Sequence, residues 1–208
     1  MITIFEYPKH EPECPSGQIE FLVFYDKVKN LVDFYNFSLK NYNALMKEKQ
    51  SELDNIENTI KEIDGIEGYE YEYKMFFEED ILGKQEYYLE FQKMNLIVFL
   101  YSEIEKLIDN LFDILDDNSS KQKINRLDKK LRLLVNNEIA KEIVQNINEL
   151  RKLRNELVHA YDYWYSLDKT LKLGGDEYEN LNQIDDSLLG QYIEKVLYAI
   201  EILEEHTT

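Results

Sequence analysis

The most regular pattern in the chain is an apolar seam whose positions alternate in steps of four and three residues. Its members are Phe21, Tyr25, Val28, Val32, Tyr35, Leu39, Tyr42, Met46, Lys49, Leu53, Ile56, Ile60 and Ile63. Lys49 is the only polar residue among them. A seam of this kind predicts a single helix from near Ser16 to about Ile63, in which the seam itself covers roughly 65 Å.

The two halves of this helix differ in how widely they are apolar. The first half carries Phe24, Leu31 and Phe34 beside the seam, so we expect it to be buried more broadly. The second half shows little beyond the seam and resembles an arm that packs on one partner helix. The pattern leaves open whether that partner belongs to the same chain or to a second copy.

Further helices are predicted downstream. Gly65 and Gly68 mark a turn, and the alternating tyrosines and glutamates of 69–80 fit either a short strand or a helix start. A second long helix is expected from Gly83 to about Leu115, with one apolar face made by Ile97, Leu100, Ile104, Leu107, Leu111 and Leu115.

The last third of the chain predicts three more helices. Asn118-Ser119-Ser120 is an N-cap signal for a basic helix to Val135, and Asn136-Asn137 interrupts it before a helix that reaches about Tyr163. A polar loop containing Gly174-Gly175 follows. Asp186-Ser187 is expected to cap a final helix with an apolar face of Leu189, Tyr192, Val196, Ile200 and Leu203.

These elements predict an all-α protein, an up-and-down helical bundle with a long N-terminal arm. We divide the chain into a helical arm or hairpin at 1–84 and a helical bundle at 85–208. The small number of breakers agrees, because the chain has only seven Gly and three Pro and all the prolines lie in the first fifteen residues. One cysteine excludes an intrachain disulfide, and no apolar run suggests a membrane span or signal peptide, so a cytoplasmic setting is expected.

The charge is strongly acidic and unevenly distributed. A net charge of −18 argues against a general affinity for nucleic acid. Residues 121–154, however, contain ten basic and four acidic side chains, a balance of +6, so the rest of the chain carries −24. One basic segment in an acidic body is compatible with a local anionic ligand, although basic side chains also commonly solvate the outer faces of helices.

The basic segment ends at an arginine in an unexpected place. The apolar face of the preceding helix runs Ile139, Ile143, Ile147, Leu150, and its next position by a step of four is Arg154. A charged side chain on a core stripe is costly unless it is paired or borders a wet cleft. Ion pairing with Glu103 or Glu105 of a facing helix would explain it, and so would a place at the edge of the bundle.

Two further polar residues follow on the same helix. Asn155 and His159 are one turn apart and so share a face next to Arg154. An imidazole can act as general acid or base near neutral pH, and a guanidinium can hold phosphate oxygens. The three side chains are a candidate phosphodiester site that requires no metal and no cofactor. Alternatively, His159 is an ordinary core or surface histidine.

The segment RNELVH, residues 154–159, resembles the R-x4-6-H motif of the HEPN superfamily, in the form with a polar residue directly after the arginine. HEPN domains are all-α bundles with this motif late in the domain, and the resemblance covers about 120 residues here. It implies a metal-independent endoribonuclease in which Arg154 and His159 are catalytic and Asn155 supports them. Arg151 and Lys152 are then expected to bind RNA.

The resemblance also bears on partners and regulation. HEPN ribonucleases of toxin–antitoxin and defence systems typically form homodimers with two motifs facing one shared cleft. The extended form R-x4-H-A-Y resembles toxins encoded beside a minimal nucleotidyltransferase, which AMPylates the tyrosine. By that resemblance Tyr161 is a possible modification site, and an antitoxin or nucleotidyltransferase is a possible partner. An aromatic core residue is the alternative interpretation of Tyr161, and those toxins lack a comparable N-terminal arm.

The sequence is therefore compatible with three functions. The first is an RNA endonuclease that works by 2′-hydroxyl transesterification. The second is a non-catalytic HEPN-like module that binds RNA, a nucleotide or a protein partner, which the acidic surface outside 121–154 favours. The third is an interaction protein in which the heptad arm does the work and the arginine–histidine arrangement is incidental.

Overall fold

The chain folds as an all-α helical bundle, and its described residues also include two short antiparallel strands. This computed structural model describes residues 13–62, 67–115, 126–159, 171–173, 176–178 and 183–207. In that part the order is α1 (Ile19–Glu62), α2 (Glu67–Leu115), α3 (Leu127–Leu134), α4 (Asn137–His159), β1 (Leu171–Leu173), β2 (Asp176–Tyr178) and α5 (Asp186–Thr207). None of the described helices is long and apolar enough to cross a membrane.

The seam predicted for α1 is confirmed over most of its length. Its residues from Phe21 to Leu39 are all buried, Leu53 is buried, and Tyr42, Met46 and Lys49 are half-buried. The side chains of the last seam members, at 56, 60 and 63, lie outside the described residues. Burying an apolar side chain of this size contributes roughly 1.5–3 kcal/mol, so the seam is the main reason why α1 holds its place.

The partner of the seam is α2 of the same chain, which resolves the alternative left open by the pattern. The two helices form the most extensive helix–helix contact in the described part. In the second half of α1 the contact continues through Tyr42, whose ring stacks on Tyr88 with centroids 4.6 Å apart. One prediction for α1 is wrong: Phe34 is 60% exposed, although Phe24 beside it in the pattern is buried.

Helix α2 begins earlier than the glycines suggested. It runs without interruption from Glu67, so 69–80 are helical and Gly83 lies inside the helix. A glycine within a helix costs only about 1 kcal/mol relative to alanine, which a long cooperative helix tolerates. The boundary drawn between 84 and 85 therefore falls inside α2, and a single core cluster includes residues on both sides of it.

The break between α3 and α4 is confirmed at Asn136. Its side-chain oxygen accepts hydrogen bonds from the backbone N–H groups of Glu138 and Ile139, both at 3.0 Å, which is an N-cap of α4. Helix α3 begins at Leu127, because the backbone of Arg126 before it is extended, with φ of −106° and ψ of 121°. The cap predicted at 118–120 and the predicted end of α4 near Tyr163 lie outside the described residues.

Two details at the end of the chain differ from prediction. The segment expected to be a polar loop contains an antiparallel pair, in which Leu171 pairs with Tyr178 and Leu173 with Asp176. Asp185, and not Asp186, caps α5, since its carboxylate accepts from the backbone N–H of Leu188 at 2.8 Å. Asp186 is buried and accepts a 2.7 Å hydrogen bond from the Tyr35 hydroxyl.

Helix α5 is otherwise as predicted and closes the core. Its five predicted apolar positions are all buried, as are Ile97, Leu100, Ile104, Leu107 and Leu111 of α2. Helix α4 packs against both α5 and α2. This arrangement puts the C-terminal half of α4, which carries the candidate site, beside the C-terminal half of α2, where Tyr101 and Glu105 lie.

Candidate functional site on α4

Arg154 lies beside the core stripe of α4 and not on it. Ile143, Ile147 and Leu150 are buried as predicted, but the next core position is taken by Leu153, which is fully buried. A step of three replaces the expected step of four, as a helical face of 3.6 residues per turn allows. The side chain of Arg154 is 26% exposed, so it lies at the edge of the bundle.

Three contacts hold the guanidinium of Arg154, and all are loose. Nη1 donates a hydrogen bond of 3.2 Å to the side-chain oxygen of Asn155. Nη2 lies 3.9 Å from the nearer carboxylate oxygen of Glu105 on α2. The guanidinium carbon is 5.7 Å from the centre of the Tyr101 ring, a cation–π distance.

One polar atom of Arg154 is left without a partner. Its Nε is buried and has no hydrogen-bond acceptor among the described residues. A buried N–H of this kind costs about 1–3 kcal/mol relative to a satisfied one. The arginine therefore has hydrogen-bonding capacity that the described part of the chain does not use.

Glu105, and not Glu103, is the carboxylate that faces Arg154. Glu103 is occupied by Lys27 at 2.8 Å and by Lys106 at 2.6 Å. Burial alone would raise the pKa of Glu103, but the two lysines outweigh it and hold that pKa below its ordinary value. Glu105 is 42% exposed, and an ion pair that is both long and exposed contributes little to stability.

The buried hydroxyl of Tyr101 is affected by the charged side chains of the site. It is 3% exposed, and burial, aided by Glu105, raises the pKa of its hydroxyl to about 12. Arg151 and Arg154 act in the opposite direction and lower it. Both arginines are thus close enough to act on one buried ring. We refer to Tyr101, Glu105, Arg151, Arg154 and Asn155 as the arginine cluster.

The other predicted site residues are placed differently. Arg151 donates a 2.9 Å hydrogen bond to the side chain of Asn148, one turn back on α4. Lys152 is exposed and lies about 160° around an ideal helix from Arg154, so the fold does not bring it to the arginine cluster. Its predicted role in binding RNA stays a prediction.

The described part of the motif ends at His159. His159 is the last residue of α4, one turn after Asn155, which is the backbone placement that a shared face requires. The side chain of His159 and the whole of Tyr161 lie outside the described residues. Their predicted roles, as catalytic residue and as modification site, stay predictions.

Two residues of the site were not identified from the sequence. Leu153 was overlooked because a step of four from Leu150 gave Arg154, whereas a step of three gives an apolar residue. Tyr101 was overlooked because it stands beside the stripe of α2 that contains Leu100 and Ile104. A search for an aromatic residue beside the apolar face of one helix and an arginine beside the apolar face of its neighbour would have identified Tyr101.

No comparison with known proteins supplies a family. The chain matches no protein-family model, no curated protein and no solved structure. Among the described side chains, no group of three or more His, Cys, Asp or Glu is arranged to hold a metal ion. The function is therefore argued from the arginine cluster and the motif that contains it.

Proposed function

We propose that the protein is a metal-independent RNA endonuclease of the HEPN type, with Arg154 and His159 as its catalytic residues. The observation that carries this proposal is the incomplete partnering of Arg154. Its guanidinium is half-buried at the bundle edge, held by one 3.2 Å hydrogen bond and one 3.9 Å ion pair, with a buried Nε lacking an acceptor. An arginine with a purely structural role is expected to be fully paired.

The contacts of Arg154 suit the binding of a phosphodiester. The hydrogen bond from Nη1 to Asn155 restricts how the planar fork can turn, which is the supporting role proposed for Asn155. A phosphate oxygen that binds on the Nη2 side would replace the long contact with Glu105. Charge-assisted bonds from a guanidinium to phosphate are roughly twice as strong as neutral hydrogen bonds.

The proposed reaction is transesterification at the 2′-hydroxyl. One imidazole acts as general base and takes the 2′-hydroxyl proton, or as general acid and protonates the leaving 5′-oxygen. The 2′-oxygen attacks the phosphorus, the bond to the 5′-oxygen breaks, and a 2′,3′-cyclic phosphate remains on the upstream fragment. The negative charge that develops on the phosphate is stabilised by Arg154.

Assembly and regulation are part of the same proposal. A homodimer that brings two motifs to one cleft would supply both an acid and a base from two copies of His159. Tyr161, two residues beyond His159, is then the site at which a nucleotidyltransferase partner would silence the enzyme by AMPylation, and a cognate antitoxin is the alternative partner. RNA as substrate and the cytoplasm as location belong to this proposal and depend on it.

The experiment is cleavage of total RNA and of tRNA in EDTA, with analysis of product 3′ ends. Wild type is expected to leave cyclic phosphate. His159→Ala and Arg154→Ala should each lower the rate by roughly 100-fold or more, as removal of an acid–base group or an oxyanion donor does. Lys141→Ala is the matched control, because Lys141 is an exposed cation near the other end of α4.

Two results would overturn the proposal. Cleavage that survives in both His159→Ala and Arg154→Ala would assign the activity to something else. Intact RNA, from a protein whose mass shows that Tyr161 is unmodified, would exclude the nuclease and favour the non-catalytic binding module. The presence of Glu105 beside Arg154 within an acidic chain favours that second function, and RNA binding lost in Arg154→Ala without cleavage by wild type would establish it.

A further inference from the structure

A cavity of about 350 Å³ lies between α1 and α2, away from the arginine cluster. We call it the α1–α2 cavity. Its floor is apolar, with Leu31 and Leu96 among the lining residues, and it opens to solvent between the two helices. Ligand sites for small molecules commonly start at about 300 Å³, so a nucleoside-sized molecule fits the volume.

Two large aromatic side chains stand at this cavity with much of their surface in water. Phe34 of α1 is 60% exposed and Phe99 of α2 is 51% exposed, and both line the cavity. Exposing one Phe is common, but two on facing helices at the mouth of one cavity form an apolar surface that a flat ring would cover.

The second observation is a buried amide. Gln92 lines the cavity and is only 7% exposed, and none of the side-chain hydrogen bonds of the described residues involves it. Its amide atoms are not among the fully buried polar atoms that lack a partner, so they meet the water of the open cavity. An amide in the wall of a cavity can therefore exchange its hydrogen bonds with water for hydrogen bonds with a ligand that carries donors and acceptors of its own.

Two more amides lie around the same cavity. Asn95, half-buried on α2, also lines it. Asn30 of α1 lines it as well, and its amide nitrogen donates to Asp26 at 2.9 Å, which leaves its oxygen as an acceptor. The lining therefore combines aromatic faces with side chains that can both donate and accept. Asn and Gln amides recognise the edges of bases with this pair of groups.

We propose that the α1–α2 cavity binds a nucleobase, stacked against Phe34 and Phe99 and read at its edge by Gln92. The source of the base is either a free nucleoside or nucleotide or an unpaired position of an RNA strand. The inference does not depend on the proposed nuclease, because Phe99 and Tyr101 lie about 160° apart on an ideal α2 and so face different sides of it.

The test is titration of the protein with adenosine, guanosine, cytidine and uridine, followed by calorimetry, with ribose 5-phosphate as the probe that lacks a base. At least one nucleoside is expected to bind with a Kd below about 1 mM, and ribose 5-phosphate is not. A short single-stranded RNA and the same strand with abasic positions are titrated into Arg154→Ala protein, in which cleavage does not interfere. Tighter binding of the nucleoside than of the strand identifies the free ligand, and the reverse identifies RNA.

Three variants assign the binding to the cavity. Phe34→Ala and Phe99→Ala should each weaken it about tenfold, which corresponds to ~1.4 kcal/mol, and Gln92→Leu should weaken it while keeping the volume. Phe37→Ala is the matched control, because Phe37 is 63% exposed on the same helix and does not line the cavity. Both phenylalanines of the cavity are exposed, so their variants are expected to fold.

The proposal is overturned if no nucleoside binds more tightly than ribose 5-phosphate. It is also overturned if Phe37→Ala weakens binding as much as Phe34→Ala. A third contrary result is a change from dimer to monomer on replacing Phe34, with no nucleoside bound, since the cavity would then be a contact between protein chains. Failure of the nuclease assay leaves each of these results unchanged, so the two proposals stand or fall separately.

Discussion

Glu204 and Arg154 are both charged side chains at the edge of the core, and they are held very differently. Glu204 is 2% exposed and its Oε1 accepts from the backbone N–H of Ser16 at 2.9 Å, from the Ser16 hydroxyl and from the Cys14 thiol at 3.0 Å. Its Oε2 accepts from the Tyr25 hydroxyl at 3.2 Å. Arg154 has one hydrogen bond, one long ion pair and a buried Nε without an acceptor.

The difference separates a structural charge from one available to a ligand. The carboxylate of Glu204 ties the residues before α1 to the last turns of α5, and every contact is made within the chain. Gly17, with φ of 65°, makes the tight turn that brings Ser16 to it. Arg154 has no such set of partners, so binding an anion there would add contacts without breaking the fold.

The largest expected effect is on Glu204. Glu204→Ala would leave the donors of Ser16, Cys14 and Tyr25 without their acceptor, so we expect a loss of roughly 3 kcal/mol in the free energy of unfolding. Urea denaturation measures it. Glu205→Ala is the matched control on the same helix, because Glu205 is exposed, and it should change stability by less than about 0.5 kcal/mol. Equal effects in the two variants would show that the hydrogen bonds of Glu204 do not stabilise the fold.

The contribution of Glu204 should also depend on pH. Burial alone would raise the pKa of Glu204, but the hydrogen bonds from Ser16, Cys14 and Tyr25 outweigh it and hold the pKa below 4.5, its ordinary value. Between the lowered pKa of the folded state and pH 4.5, the unfolded chain binds the proton more readily than the folded chain, so stability rises with pH. The contribution is complete above pH 4.5 and is lost as the pH falls through the pKa of the folded state. The difference in unfolding free energy between wild type and Glu204→Gln should therefore shrink below pH 4.5.

A smaller effect is expected at Tyr35, which is fully partnered like Glu204. Its buried hydroxyl donates to Asp186 at 2.7 Å, close to Lys93, whose ammonium donates to the carbonyl of Ile184 at 2.6 Å. Tyr35→Phe keeps the ring and should destabilise the fold by about 1–2 kcal/mol. Tyr198 is 51% exposed and its hydroxyl makes one long contact of 3.4 Å with Glu142, so Tyr198→Phe should be close to neutral in thermal unfolding. A neutral Tyr35→Phe would mean that the buried bond contributes nothing.

Arg154 should behave in the opposite way to Glu204. Arg154→Met removes a loose ion pair together with an unsatisfied Nε, so the free energy of unfolding should change by less than about 1 kcal/mol. Leu153→Ala, at the neighbouring buried position, should cost about 3 kcal/mol in the same chemical denaturation. A loss above about 2 kcal/mol in Arg154→Met would show that the arginine is structural, which contradicts the basis of the proposed function.

The smallest effect concerns Glu105. Its carboxylate competes with an anion for Arg154 from 3.9 Å, so Glu105→Gln should tighten binding of a non-cleavable RNA analogue about twofold to fivefold, the range of an exposed ion pair. The change is measured as the Kd of the RNA analogue for wild type and variant over a range of salt concentrations. Glu156→Gln is the control, since it removes the same charge from α4 itself. Unchanged affinity in Glu105→Gln, or an equal gain in both variants, would show that Arg154 is not the group that meets the phosphate.

Much of the fold was predictable because the periods of the apolar positions are long and regular. The buried faces of α1, α2 and α5 follow from spacing alone, since a helix of 3.6 residues per turn puts those positions on one side. The start of α2 was not predictable from Gly83, because a single glycine lowers helix stability only slightly. The antiparallel pairing of 171–173 with 176–178 was missed, although the sequence Gly174-Gly175 between two short segments is a known turn signal.

The candidate site was predicted in part. The sequence placed Arg154 and Asn155 on one helix and identified Glu105 as one possible partner, and the fold brings all three together. It did not separate Glu103 from Glu105, because these residues are only two apart on α2 and both are glutamates. Lysines from α1 and α2 occupy Glu103, and only the packing of those helices shows it.

The sequence by itself therefore determined the class of fold, the buried faces of the long helices and the motif at 154–159, because these depend on residue type and local spacing. The tertiary structure decided which charges are paired. Whether Arg154 is satisfied, whether Gln92 meets a partner and whether Phe34 is covered depend on what a neighbouring helix presents within a few ångströms. The periodicity of the sequence carries no information about which side chains of a neighbouring helix lie within that range.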